Sequence, residues 1–196
     1  ASLTASSGRA SVIAASGVTQ DANIQAGSDV YVQAQNGSIV MADKTVVASD
    51  GTLTTSTGGN IRYAASDSVA LSRLVASAGD VSVLATSGSI TDANVDDAAT
   101  HLNISASNAR LEAGTSIGSG DGSASDTNVN AVDISVGNVE ALAGTDVYLE
   151  SNQAVTVGGV DGVNYSHEYF ASGESTGSSD ANLTGLEGTA GVVKLK

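Results

Sequence analysis

The chain contains no cysteine, no proline and no tryptophan, and its one phenylalanine is Phe170. Without cysteine there is no disulfide framework, no thiol nucleophile and no thiolate metal site. Without proline nothing deletes a donor from a hydrogen-bonded strand ladder. Aromatics make up 3% of the 196 residues, so the core must be narrow and filled by Val, Ile, Leu and Ala. Positive charge is also short: 7 Lys and Arg against 21 Asp and Glu leave a net charge of −14, which repels nucleic acid and anionic membranes alike. Glu, Lys, Arg and Met, the usual residues of helix surfaces, are scarce, which argues against a helical bundle. No apolar run approaches the ~18 to 20 residues that span a bilayer, so direct membrane insertion is not expected. The opening Ala1-Ser2-Leu3-Thr4 has neither the basic nor the apolar region of a signal peptide. The chain therefore reads as a segment of a longer precursor whose export signal lies elsewhere.

What is abundant is Gly, with 23 residues, together with Ser, Thr, Asp and Asn. Such a composition also suits disordered chains, but here β-branched and polar residues alternate too regularly for disorder. The alternation belongs to a repeat. Ala10 to Asn23 aligns without gaps to Val81 to Asn94, and Asp29 to Ile39 aligns to Asp80 to Ile90. These shifts, 71 and 51 residues, differ by 20. Twenty is then the candidate unit, and Val12, Ala14 and Gly17 recur as Val32, Ala34 and Gly37. Asn60-Ile61-Arg62-Tyr63 stands the same distance before Asp80-Val81-Ser82-Val83. Looser copies are Leu102 to Ala106 and Gly144 to Leu149, the latter matching Gly27 to Val32.

Within a copy, Val30, Val32 and Ala34 alternate with Asp29, Tyr31 and Gln33, the period of a strand with one buried face. Asn36-Gly37 or Ser87-Gly88 follows, residues suited to a tight bend. A unit this short cannot enclose a core alone, but stacked copies give each strand a hydrogen-bonding neighbour above and below. The predicted fold is therefore all-β, a right-handed parallel β-helix (β-solenoid) with coils of about 20 residues and inserted loops. Residues 1–160 are expected to form the coils, and 161–196 an atypical end or loop region with a final strand near Gly191 to Leu195. Val30, Val32, Val81, Val83, Leu102, Ile104, Val132, Ile134, Val147 and Leu149 are expected to point inward. Tyr31 and Tyr148 are expected at equivalent, exposed, outward positions. An antiparallel β-sandwich is the competing fold, but it needs larger residues to bridge two sheets ~10 Å apart.

Gly79 to Thr91, Gly114 to Gly118 and Asp133 to Gly144 resemble the repeats of very large filamentous haemagglutinin-like bacterial exoproteins and adhesins. The resemblance covers roughly residues 8 to 160. It implies right-handed parallel β-helices and an extracellular or cell-surface location; that the chain is not an enzyme is expected separately, from Asp29, Asp80 and Asp146 recurring at one turn position, which signals structure.

Two groups of residues carry chemical potential. Asp92, Asp96 and Asp97, with Asp121 and Asp126 in a Gly/Ser-rich loop, supply hard oxygen ligands of the kind calcium takes as a cofactor. Asp also favours turns through its own backbone hydrogen bonds, which is the competing reading. Tyr165, His167, Glu168 and Tyr169 form the only cluster with acid–base potential and a candidate ligand contact, against the simpler reading of a packing patch over the end of the rod.

The expected function is that of a structural segment of a secreted bacterial surface or matrix protein: a stalk, fibre or filament. Its partners would be flanking solenoid coils or further copies of itself, because a cut solenoid exposes unpaired strand edges. The alternative is an adhesin module reading carbohydrate or a surface protein through its loops. A third class is a polysaccharide-cleaving β-helix enzyme, for which the scattered Arg9, Arg62, Arg73 and Arg110 offer no obvious site.

Overall fold

A computed structural model describes residues 2–43, 51–94, 101–120, 130–168 and 175–196. None of these residues is helical. The strands are β1 (Leu3–Ala5), β2 (Ala10–Ala14), β3 (Val18–Gln20), β4 (Ile24–Ala26), β5 (Val30–Ala34), β6 (Ile39–Met41), β7 (Leu53–Ser56) and β8 (Ile61–Ala65). They continue as β9 (Val69–Leu71), β10 (Arg73–Ala76), β11 (Val81–Ala85), β12 (Ile90–Asp92), β13 (Ile104–Ser105), β14 (Asn108–Ala113) and β15 (Val132–Ser135). The last seven are β16 (Asn138–Ala143), β17 (Val147–Ser151), β18 (Thr156–Val157), β19 (Asn164–Glu168), β20 (Ser175–Ser179), β21 (Leu186–Gly188) and β22 (Val193–Leu195).

Among the described residues all but one of the strand pairings are parallel, and the parallel ones build three stacked sheets. Sheet 1 runs β1-β4-β7-β10-β13-β15-β17-β22, sheet 2 runs β2-β5-β8-β11-β14-β16 with β18 and β21 both on β16, and sheet 3 runs β3-β6-β9-β12. The chain visits them in a fixed rotation from sheet 2 to sheet 3 to sheet 1, and each full rotation is one circuit. The column of sheet 3 is extended by the bridges from Ile90 to Ile117 and from Ile117 to Val147. β19 and β20 form a separate antiparallel hairpin.

The register explains both the repeat and its drift. Ala10, Val30, Ile61, Val81, Ala109 and Val139 lie directly over one another in sheet 2 at intervals of 20, 31, 20, 28 and 30 residues. The two short intervals are the 20-residue unit visible in the sequence. Each longer circuit carries extra residues between sheet 3 and sheet 1, where 44–50, 95–100 and 121–129 fall.

The core is a set of aligned columns. Val12, Val32, Tyr63, Val83, Leu111 and Ala141 form one, and Ala14, Ala34, Ala65, Ala85, Ala113 and Ala143 form a column of alanine alone where the strand meets the corner to sheet 3. Only a small side chain fits there, because the turns that follow stack backbone on backbone. A Cβ on Gly144 would overlap the carbonyl oxygen of Gly114 in the circuit below. Of the ten residues expected to point inward, nine are fully buried, and Leu102 is half-buried, one residue before the corner that leads into β13. Val147 and Leu149 do reach the core, but they belong to sheets 3 and 1. Their similarity to Val30 and Val32 of sheet 2 thus reflects common strand chemistry and not a common place in the circuit. Ile104 likewise sits in sheet 1, away from the sheet-2 strand it resembles.

Polar residues lock the corners. Ahead of sheet 2, Asp29 Oδ1 accepts from the Asn60 backbone N–H at 2.9 Å, Asn60 Oδ1 from the Asp80 N–H at 2.8 Å, Asp80 Oδ1 from Asn108 Nδ2 at 2.7 Å, and Asn108 Oδ1 from Asn138 Nδ2 at 2.7 Å. This Asx ladder explains why Asp and Asn recur before the strands: each satisfies a corner group of the next circuit. Ser38, Ser68 and Ser89 serve the corner to sheet 3 in the same way, their hydroxyls accepting from the backbone N–H groups of Ser68, Ser89 and Ser116 above. Asn108→Ala cuts the ladder on both sides and is expected to lower stability by about 1–2 kcal/mol, for two partly buried hydrogen bonds. Chemical denaturation of the purified variant measures it through the shift in midpoint.

Inside the core, one side chain from each sheet joins a closed ring. Gln20 Nε2 donates to Thr54 Oγ1 at 3.0 Å, Tyr63 hydroxyl donates to Gln20 Oε1 at 2.6 Å, and Thr54 Oγ1 and Tyr63 Oη lie 2.7 Å apart. Tyr63 is fully buried, and that burial pushes its phenol well above the ordinary range, partly offset by the hydrogen bonds to Thr54 and Gln20.

Candidate functional site

Strand alternation in sheet 2 turns one residue per circuit outward in a second column: Ser11, Tyr31, Arg62, Ser82, Arg110 and Glu140. On a bare sheet these side chains would meet solvent. Tyr31, Arg62, Ser82, Arg110 and Glu140 are instead all buried, because a later part of the chain crosses them.

That crossing begins where the last sheet-2 strand is interrupted. β18 pairs with Asn138 and Val139, and β21 pairs with Ala141 to Ala143 of the same strand β16. Between them the chain leaves at Gly158 and Gly159, whose φ angles of +97° and +75° are left-handed values that other residues adopt at a cost. It runs back along the outer face of sheet 2 as a strap, folds into the β19–β20 hairpin, and returns to β21.

Contacts hold the strap along its length. Next to its exit, the Val160 N–H donates to Glu140 Oε1 at 3.3 Å. Further down, Arg110 Nε donates to the Ala181 carbonyl oxygen at 2.6 Å, while its Nη2 is paired with Glu112 at 2.6 Å. Next comes Arg62, whose Nε donates to both carboxylate oxygens of Asp180 at 3.0 and 3.1 Å and whose Nη2 donates to Oδ1 at 2.8 Å. The side chains of this pair are 7% and 6% exposed. Burial alone would lower the Arg62 pKa, but the Asp180 carboxylate outweighs it and holds the guanidinium above its ordinary value, so Arg62 stays charged.

The far end of the strap is aromatic. Tyr31 stacks on His167 with ring centroids 4.6 Å apart and on Tyr165 at 5.4 Å, and the Arg62 guanidinium lies 4.5 Å from the Tyr165 centroid. Such contacts are worth more when desolvated, as here. Backbone bonds finish the joint: the Ser166 N–H donates to Asp29 Oδ2 at 3.0 Å, and Asn60 Nδ2 donates to the Asn164 carbonyl. The base of the Asx ladder thus also anchors the strap.

Three successive rungs beneath the strap keep one buried polar atom each without a hydrogen-bond partner among the described residues: Ser82 Oγ, Arg110 Nη1 and Glu140 Oε2. A buried polar atom left in this way costs about 1–3 kcal/mol.

The residues singled out in the sequence fall in different places. Tyr165 and His167 are together, packed on the outer face of sheet 2 against Tyr31 of the second circuit and, for Tyr165, Arg62 of the third, and β19 also reaches β2 at the edge of that sheet. Their packing partner, Tyr31, is 5% exposed, contrary to the exposed position expected of it, and Tyr148 sits on β17 away from it. The backbone of Glu168 pairs with Ser175 in the hairpin, and Tyr169 lies outside the described residues. Of the candidate calcium ligands, Asp92 is engaged in the fold: its Oδ1 accepts from the Asn94 N–H at 2.8 Å and from Asn103 Nδ2 at 2.6 Å. Asp96, Asp97, Asp121 and Asp126 lie outside the described residues. Among the described residues no three His, Asp or Glu side chains are grouped so as to hold a metal ion.

Arg62, Arg110, Glu140 and Asp180 carry the joint, and sequence reasoning assigned them no role. The first was within reach, since aligning Asn60–Tyr63 with Asp80–Val83 places Arg62 in the outward column with Ser82. No family model, characterised protein or solved structure matches this chain.

Proposed function

We propose that the stacked circuits are a right-handed parallel β-solenoid and that the chain is a structural segment of a secreted bacterial surface or extracellular-matrix protein, serving as a stalk, fibre or filament. The supporting observation lies at the two ends of the stack. β1, β2 and β3 form one edge, and β18, β21 and β22 lie along the other, so among the described residues both present backbone groups with no strand beyond them. Exposed aliphatic side chains accompany those edges: Leu3 at one end, and Val157, Val192 and Val193 at the other. An apolar, unpaired strand edge is a template for another strand. A parallel stack meets its own opposite end head to tail, a contact that propagates without closing. The occupant of each edge is then a flanking coil of the same architecture or a further copy of this chain.

Sedimentation and negative-stain microscopy of the purified chain test this. Linear assemblies whose length grows with concentration are expected, and charge on one edge, as in Val157→Lys with Val193→Lys, is expected to leave monomers. A chain that stays monomeric at high concentration yet binds glycans would overturn the reading in favour of an adhesive module.

A further inference from the structure

We infer that residues 159–185 are a self-contained insertion acting as a staple, which couples the last circuit of the stack to the second and third. This does not rest on how the ends assemble. In β16, Val139 pairs with Val157 and Ala141 with Leu186, which leaves one position of the last sheet-2 strand, the one opposite Glu140, to be filled. Gly158 can fill it, so joining Gly158 to Leu186 would restore an unbroken strand against Asn138 to Ala143. The fold therefore has room for a regular coil without residues 159–185, and what they add are contacts along the outer face of sheet 2, from Glu140 of the neighbouring strand down to Arg62 and Tyr31.

Those contacts break the rule that governs stacked repeats. In such an array each repeat touches only its neighbours, so a change in one circuit is felt mainly by the next, and the end circuits open most easily. The strap leaves the last circuit and is fastened to Arg62, four strands away or roughly 19 Å at ~4.8 Å per strand, and to Tyr31 and Asp29 one strand further. For the last circuit to peel off with the strap still attached, the strap must either stretch or let go of the Arg62–Asp180 pair. Opening of the end is thereby tied to rupture of a buried joint near the other end.

Amide hydrogen exchange tests the coupling. The reporters are Gly158 N–H and Thr189 N–H, which bind the carbonyls of Val139 and Ala143, and the internal control is Gly114 N–H on Ala85. In Arg62→Ala, exchange at Gly158 and Thr189 is expected to accelerate at least tenfold beyond any change at Gly114. Asp180→Asn, which keeps the shape and some hydrogen bonds, gives the same pattern at smaller amplitude should Arg62→Ala fail to fold. Equal acceleration at all three amides, or none at Gly158 and Thr189, overturns the staple. In the spliced chain lacking 159–185, which is expected to keep its β-sheet circular dichroism, Arg62→Ala should leave Thr189 exchange unchanged. Loss of the β-sheet signal on splicing overturns the claim that the segment is an insertion.

Discussion

Arg62→Ala is expected to destabilise the fold by about 3–5 kcal/mol, the cost of breaking a buried ion pair by removing one partner. The magnitude follows from burial. An exposed pair such as Lys196 with Glu150, 3.0 Å apart but half open to solvent, contributes at most about 1 kcal/mol because water competes for both ions. Asp180 is nearly sealed, so without Arg62 its charge would sit buried with no counter-ion. Replacing both partners by leucine is expected to recover most of the loss, since two buried apolar groups leave no charge behind. Thermal melts of the two single variants and the double variant measure the cycle. If each single substitution costs less than about 1 kcal/mol, the joint is not sealed in solution.

The parts of this fold that are local in sequence were legible, and those that are remote were not. Alternation such as Val81, Val83 and Ala85 follows from the strand period alone, and a 20-residue spacing repeats because one circuit is that long. From these came the all-β class and the parallel stacking of like strands. Which sheet a strand joins was less visible. Gly144 to Leu149 reads like Gly27 to Val32, yet the two lie in different sheets, because every strand of such a stack needs the same polar corner and inward Val. Insertions between sheet 3 and sheet 1 then shift the count, so spacing no longer identifies the sheet. The strap escaped prediction for a different reason: Arg62 and Asp180 stand 118 residues apart, and neither belongs to a motif. Their partnership depends on where the strand of the last circuit breaks.

The acidic excess has a related explanation. Asp29, Asp80 and Asp146 are placed where each carboxylate accepts a hydrogen bond from the circuit above, Asp146 from the Val192 N–H at 2.7 Å. Asparagine does the same work at Asn60 and Asn108, so the corner requires a side-chain acceptor and not a charge. Much of the Asp content at the corners is therefore structural.

Tyr63 gives the other large effect, because it combines volume with polarity in the middle of the core. It replaces a valine in an otherwise aliphatic column, and its hydroxyl is accommodated only because Gln20 and Thr54 converge on it from the other two sheets. Tyr63→Ala removes a large buried side chain and strands Gln20 Oε1, and about 3–5 kcal/mol of stability is expected to go with it. Tyr63→Phe keeps the ring and isolates the hydroxyl, at about 1–3 kcal/mol for the acceptor left unsatisfied. Alkali separates the two further. The folded protein holds this phenol above its ordinary pKa, so near pH 10 and beyond the unfolded chain releases its proton while the folded one keeps it. Stability is then fully present below about pH 10 and falls by about 1.4 kcal/mol per pH unit above it, until the folded phenol itself ionises. Denaturation midpoints between pH 9 and 11 are expected to drop more steeply for the native chain than for Tyr63→Phe. Parallel slopes would mean that water reaches the ring formed by Gln20, Thr54 and Tyr63, and that the three sheets do not close over it.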